Sequence, residues 1–239
     1  TASEIINHGL KFKDFERVNI SDLIDRKITW NVELINNFLS SKIVLVSGAG
    51  GSIGTELVIQ CLSANPKKLI CLDNNEFNLY KLQQNLEKII NSQLYTTEIK
   101  YYLCSVNNKN LLDYLFLSHS PQVVFHAAAY KHVPLAETNV CEYLNNNVLG
   151  TLRMIETSLK YNVKNFLYIS TDKAVRPNNI MGASKRVAEL MLLLFAKENQ
   201  KKSIISIVRF GNVLGSVGSV VPLFNEQLSN GGPITVTHP

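Results

Sequence analysis

Four consecutive residues, Ser170-Thr171-Asp172-Lys173, place two hydroxyls, an acid and a base in succession. Such a set can hold a substrate hydroxyl, deliver one proton and remove another. Seen alone, the stretch reads equally well as a solvated turn. Its position weighs for chemistry, because it closes the apolar run 165–170, which reads as a strand. Farther on, Met181-Gly182-Ala183-Ser184-Lys185 opens a helical pattern, and Met181 and Lys185, at i and i+4, share a face. A core methionine and a surface lysine would fit the same spacing.

A second stretch, Lys42 to Gly54, reads KIVLVSGAGGSIG. The apolar run Ile43-Val44-Leu45-Val46 reads as a strand buried on both faces. Gly48, Gly51 and Gly54 follow, and then a helical pattern with Ile53, Leu57, Val58 and Cys61-Leu62 on one face. Strand, glycine turn and helix form the context of a dinucleotide fingerprint. Gly48 would allow the turn, Gly51 the approach of a pyrophosphate, and Gly54 close packing of helix on strand. The helix start at Ser52 and Ile53 would then face the phosphates with its positive end. The next apolar run, Lys68 to Leu72, ends in Asp73, 25 residues after Gly48. That is close to the roughly 20 expected of a ribose-binding acid. A carboxylate there repels a 2′-phosphate and so favours NAD over NADP. The alternative is that Asp73 caps the helix beginning near Glu76.

A third stretch, His126-Ala127-Ala128-Ala129-Tyr130-Lys131-His132, follows the run 122–126. The small side chains of Ala127 and Ala128 would let a flat cofactor lie against the backbone. A helix start with ordinary alanines fits as well.

These stretches need a frame that brings strand ends together. From Lys42 the pattern alternates, with strands at 42–47, 68–72, 98–103, 122–126, 165–170 and 203–209. Helices are expected at 53–64, 76–92, 107–118, 136–161 and 180–199. The alternation predicts an α/β fold, a doubly wound parallel sheet covered on both faces, with ligands at the carboxyl ends of the strands. Residues 1–41 read as a leader packed on the edge of a 42–239 domain, with amphipathic pieces at Ile20–Ile24 and Val32–Leu39. The chain starts without Met, and Ile234 to Pro239 reads as a strand cut off before its partner. Both suggest a piece of a longer protein.

The 239 residues are 46% hydrophobic, enough for one large core. The net charge of +5 comes from scattered Lys and Arg, which argues for a solvated surface and against a nucleic-acid face. The four cysteines show no C-x-x-C spacing, and nothing suggests a metal site. Cys61 and Cys71 fall in apolar patterns, as buried thiols of a reducing compartment would. The longest apolar run, Leu190 to Ala196, is too short to span a membrane.

GAGGSIG, HAAAYKHVPLAE, YISTDKAVRPNNIMGASKR and RFGNVLGSVGSVVPLF together resemble the extended short-chain dehydrogenase/reductases. More narrowly, they are similar to the large UDP-N-acetylglucosamine 4,6-dehydratases of the capsular polysaccharide type. The resemblance runs from about Lys42 to the end. It implies a Rossmann domain whose substrate part is incomplete at the carboxyl end. It implies NAD on Gly48, Gly51, Ser52, Ile53, Gly54, Asp73, Ala127 and Ala128. Asn147 matches a structural Asn, and Lys185 the lysine on the nicotinamide ribose. Thr171, Asp172, Lys173 and Lys185 would be catalytic, while Lys131, His132 and Asn212 would meet the UDP-sugar. Asp172 would act as acid and Lys173 as base, each needing burial to move its pKa towards neutrality. Met181 stands where the superfamily usually has Tyr, a replacement the large dehydratases share. Ser105 stands where many relatives carry an adenine-contacting acid. The resemblance further implies a cytoplasmic domain of a membrane-anchored bacterial protein, with no membrane contact of its own, and leaves a homo-oligomer open. Two rival readings are a 4-epimerase and a dinucleotide-binding module without catalysis.

Overall fold

The computed structural model describes residues 31–92, 95–213 and 220–235. Within it, Asn31–Gly211 forms one compact unit. The expected leader, apart from its last residues, and the end of the expected final strand lie outside the described residues.

The first unit is built on β1 (Ile43–Ser47), whose Val44, Leu45 and Val46 are fully buried. It pairs in parallel with β2 (Lys68–Asp73) on one side and β4 (Val123–His126) on the other. Outward from these lie β3 (Glu98–Leu103), β5 (Asn165–Ile169) and β6 (Ile204–Val208), giving the order β3-β2-β1-β4-β5-β6. All six strands fall where the apolar runs predict them. The strand order reverses at β1, which leaves a crevice between β1 and β4 at their carboxyl ends, the usual place for a ligand.

Alternation along the strands builds two cores. Leu45, Ile70, Leu72, Val124, Phe166 and Tyr168 face one side. There they pack on Leu112, Leu115 and Phe116 of α4 (Lys109–His119), on Met154 and Ile155 of α7 (Gly150–Lys160), and on Ala188 and Leu192 of α8 (Ile180–Glu198). Val44, Val46, Leu69, Cys71 and Val123 face the other side. They meet Val58, Cys61 and Leu62 of α2 (Ser52–Ser63) and Leu79, Leu82 and Leu86 of α3 (Glu76–Ser92). Leu39, at the end of α1 (Val32–Leu39), joins this second core. Each such aliphatic side chain stabilises the fold by about 1.5–3 kcal/mol on full burial. Burial pushes the Cys61 thiol up to about 12 and Cys104 up to about 11, so neither is a thiolate near neutral pH.

The single helix expected over 136–161 is broken into α5 (Val133–Thr138), α6 (Val140–Tyr143), a π-helical segment (Leu144–Leu149) and α7. Pro134 starts α5, and Asn139, at φ −128° and ψ 47°, ends it. The wider π turn carries Asn146 and Asn147 into the interior, where both are buried. Apolar periodicity does not register a π turn, which is why the sequence reads as continuous.

The second unit includes Asn212–Pro239, and its described residues contain α9 (Val220–Ser229). The Gln227 side chain accepts from the backbone N–H of Thr235 at 3.0 Å and donates to its hydroxyl at 2.9 Å. Among the described residues no helix is long and apolar enough to cross a membrane.

Candidate functional site

The glycine turn after β1 is held by the absence of side chains. Gly48 has φ +68°, and a Cβ there would lie 2.6 Å from the backbone nitrogen of Ala128. A Cβ on Gly54 would collide with the carbonyl oxygen of Gly48, so α2 can approach β1 this closely only with glycine. The Gly51 N–H donates to the Gly48 carbonyl at 3.1 Å, and Gly51 then caps α2, whose first residues are Ser52 and Ile53. The first-turn N–H groups of a helix have no carbonyl four residues back, and this end carries a positive partial charge. Gly50, to which the sequence reading gives no role, proves equally constrained. A Cβ there would meet the backbone of Asn78 at 2.7 Å, and its N–H donates to Asp73 Oδ2 at 2.8 Å.

Asp73, at the end of β2, is buried and takes a second hydrogen bond on Oδ1 from the Asn75 N–H at 2.9 Å. The cap of α3 comes from Asn75, whose side chain accepts from the Asn78 N–H at 2.9 Å. The capping alternative for Asp73 therefore falls away, and its carboxylate is fixed beside the glycine turn.

At the end of β4, the Ala127 N–H donates to the Ser47 carbonyl at 3.0 Å, and Ala128 sits against Gly48. Tyr130 is locked by Asn147 from the π segment. The Asn147 side chain accepts from the Tyr130 N–H at 2.8 Å and donates to its carbonyl at 3.0 Å, with a further bond to Ser184 Oγ at 3.0 Å. Lys131 and His132 are exposed. The His132 carbonyl accepts the Tyr143 hydroxyl at 2.7 Å.

His126 was not singled out by its residue type, yet it is fully buried at the end of β4. Its Nδ1 lies 2.6 Å from Ser47 Oγ and its Nε2 2.9 Å from Thr151 Oγ1. The Thr151 hydroxyl donates to the Asn147 carbonyl at 2.7 Å, so it accepts from Nε2–H, and Ser47 donates to Nδ1. Burial, reinforced by Lys185, pushes the His126 pKa down to about 3, leaving a neutral ring.

At the end of β5, Thr171 caps a short 3₁₀ turn, Asp172–Ala174. Its hydroxyl donates to Asp172 Oδ1 at 2.9 Å, and Lys173 Nζ reaches the same oxygen at 3.2 Å. The burial that the acid and base roles would require of this pair is not found. The side chains of Asp172 and Lys173 are 54% and 36% exposed. The Thr171 hydroxyl and the Lys173 ammonium hold the Asp172 carboxyl below its usual range, because both favour the charged form.

Lys185 is the opposite case. The surface-lysine alternative does not hold, for the residue is buried. Its Nζ donates to the Ile169 carbonyl at 2.6 Å and lies 4.2 Å from the centre of the Tyr168 ring. Burial lowers its pKa to about 7, against an opposing pull from Glu189. Gly182, one turn earlier, packs directly on the Lys173 carbonyl, and the Asn179 side chain caps α8 through the Gly182 N–H at 2.8 Å. Met181 is buried in a small cluster with Ala136 and Tyr143.

Within the first unit, the structure thus gathers the glycine turn, Asp73, Ala127, Ala128, Thr171, Asp172, Lys173 and Lys185 at the carboxyl ends of neighbouring strands. Asn212 belongs to the second unit.

The family described as "Polysaccharide biosynthesis protein" matches residues 44–239. The capsular polysaccharide biosynthesis protein CapD of Staphylococcus aureus is 41% identical over 237 residues, covering 99% of this chain and 39% of that protein. The probable polysaccharide biosynthesis protein EpsC of Bacillus subtilis is 42% identical over 224 residues, covering 93% of this chain and 36% of its own length. The chain thus spans well under half of these relatives. A UDP-glucose 4-epimerase of Rickettsia canadensis is 32% identical, with 83% of this chain and 57% of that protein covered. Among solved structures, Pen from Bacillus thuringiensis superposes with a TM-score of 0.73 at 31% identity, over 80% of this chain and 57% of that one. The dTDP-glucose 4,6-dehydratase DesIV from Streptomyces venezuelae shares the fold, with a TM-score of 0.66 at 21% identity, over 80% and 63%. With the glycine turn, the parallel sheet and a match over most of its length, this chain belongs to the polysaccharide biosynthesis protein family.

Proposed function

We propose that this chain is the NAD-binding catalytic domain of a nucleotide-sugar 4,6-dehydratase acting on UDP-N-acetylglucosamine. The observation that carries the reading is the Thr171-Asp172-Lys173 turn at the end of β5, held on the same helix start that carries the buried Lys185. A 4-epimerase needs no acid and base for eliminating water, whereas a dehydratase needs one of each.

The cradle fits a dinucleotide. Gly48 and Gly54 shape the turn, the space beside Gly51, where a Cβ would meet only the Gly48 carbonyl at 3.3 Å, would admit a pyrophosphate against the start of α2, and the fixed carboxylate of Asp73 would accept from a ribose hydroxyl. When bound, NAD⁺ supplies the hydride acceptor for sugar carbon 4 and returns the hydride at carbon 6. Lys185, near neutral pH, can take up the carbon 4 hydroxyl proton, and Thr171 would hold that oxygen. Lys173 would remove the proton on carbon 5 and give one back there as the hydride reaches carbon 6, and Asp172 would protonate the hydroxyl of carbon 6, which leaves as water. In the uncovered site the Asp172 carboxyl is held below its usual range. Covering the pair with a sugar excludes water, which penalises both charges and favours proton transfer to Asp172. Lys131, His132 and Asn212 remain proposed contacts to the UDP-sugar.

The epimerase reading is favoured by the Rickettsia relative. Mass spectrometry of the full-length protein incubated with NAD⁺ and UDP-N-acetylglucosamine separates the two. A product lighter by one water is expected. An isomer of unchanged mass would establish the epimerase, and bound NAD without turnover would leave only a dinucleotide-binding module.

A further inference from the structure

One buried carboxylate has no part in that chemistry, yet it joins every element that shapes the β5 turn. Glu189, on α8 one turn beyond Lys185, is 1% exposed. Its Oε1 accepts the Ser170 hydroxyl at 2.6 Å and Arg209 Nε at 2.8 Å. Its Oε2 accepts Arg209 Nη2 at 2.6 Å and Arg186 Nη1 at 3.1 Å. Ser170 leads directly into Thr171. Arg209 directly follows β6, and the next residue, Phe210, accepts the Asp172 N–H on its carbonyl at 3.1 Å. Burying a carboxylate is costly unless it is fully paired, and removing one member leaves the others uncompensated.

The spacing explains the arrangement. Lys185 and Glu189 stand at i and i+4 on the buried face of α8, so both point at the end of β5. Lys185 holds the Ile169 carbonyl and Glu189 holds the Ser170 hydroxyl. Two successive residues of the chain are thus tied to two successive turns of one helix, immediately before the reacting side chains.

The geometry points to Glu189 as a positioning residue for the proposed reaction: it sets the Thr171-Asp172-Lys173 turn against Lys185 and places a buried carboxylate one helix turn from that amine. This rests on the dehydratase reading for its effect on turnover, though not for its effect on Lys185. The ionisable groups around Lys185 include Glu189 on its own helix, with Arg186 and Arg209 paired to that carboxylate, His126 from β4 and Tyr168 from β5. His126 is neutral and burial pushes the Tyr168 hydroxyl up, so of Glu189, His126 and Tyr168 only Glu189 carries charge.

The test compares Glu189→Gln and Ser170→Ala in the full-length protein, by turnover and by the ¹³C NMR titration of the Lys185 side chain. Glu189→Gln should lower kcat on the order of 10²-fold, the size of effect a misplacement of about 1 Å can have. KM should move little, and the Lys185 midpoint should shift to lower pH. Ser170→Ala removes the bond to the turn and keeps the charge, so it should lower kcat while leaving the Lys185 midpoint in place. If Glu189→Gln fails to fold, Glu189→Asp, which keeps the charge on a shorter stem, should lower kcat with the midpoint retained. An unmoved Lys185 midpoint in folded Glu189→Gln overturns the electrostatic role. Wild-type kcat in Ser170→Ala overturns the positioning role. A wild-type protein that never releases water sinks the dehydratase reading instead, and the Lys185 titration still decides the charge role of Glu189.

Discussion

After β1 the chain turns through four residues, three of them glycine, with backbone lying on backbone. After β5 it turns through Ser170 to Lys173, with carboxylates, hydroxyls and ammonium groups holding it in place. Both turns end parallel strands of one sheet and both lead into helices. The first is specified by what is missing: a Cβ at Gly48, Gly50 or Gly54 would strike backbone that cannot yield. The second is specified by charge, through Glu189 below the turn and the Asp172–Lys173 pair within it. A turn built on absent atoms tolerates no added bulk at Gly48, Gly50 or Gly54. A turn built on charges tolerates shape changes better and answers to protonation.

The sharpest way to break that contrast is Gly54→Val. The added atoms would meet the Gly48 carbonyl, so α2 must move off β1 and NAD binding should be lost at every pH, as calorimetry would show. Retained NAD affinity would mean that the close approach is not what shapes the phosphate site. Next come Asp172→Asn and Lys173→Met, each expected to cost on the order of 10²–10⁴ in turnover. Their NAD affinity and melting temperature should stay near wild type, since neither side chain is buried in the core. With substrate in deuterated water, near wild-type incorporation of deuterium at carbon 5 by both variants would place the acid and base elsewhere.

A third test uses pH. His126 has its pKa lowered from 6.5 to about 3, so the unfolded chain binds the extra proton first as pH falls. The stability held above pH 6.5 should therefore drain away as pH drops towards 3, by a few kcal/mol if this group acts alone. Chemical denaturation between those limits should show the slope in wild type and a flatter one in His126→Gln. Equal slopes would assign acid unfolding to other groups. The smallest effect belongs to Met181→Leu. It nearly conserves volume in the cluster with Ala136 and Tyr143, so it should cost under about 1.5 kcal/mol and leave most activity. A collapse of turnover with normal melting would give the thioether a role beyond packing.

The sheet was legible because β-branched and aliphatic runs bounded by glycine and polar residues carry their own register. The glycine turn and Asp73 were legible for the same reason, their constraints being local in sequence. His126 was not, since its partners Ser47 and Thr151 lie 79 and 25 residues away and only the fold joins them. Glu189 escaped notice in a stretch that reads as an ordinary helix, with Arg209 20 residues farther on. The state of the Asp172–Lys173 pair also could not be read. Adjacent acid and base give no sign of exposure, and exposure decides whether both are charged.

The π segment at Leu144–Leu149 has a bearing on how this chain can change over evolutionary time. A π turn amounts to one surplus residue in a helix. Deleting one residue there would restore regular winding with the flanking turns still facing as they do, but the wide turn that carries Asn146 and Asn147 into the interior would be lost. Asn147 could not then keep its grip on both Tyr130 and Ser184. The segment is thereby constrained in its length as well as in the identity of Asn147.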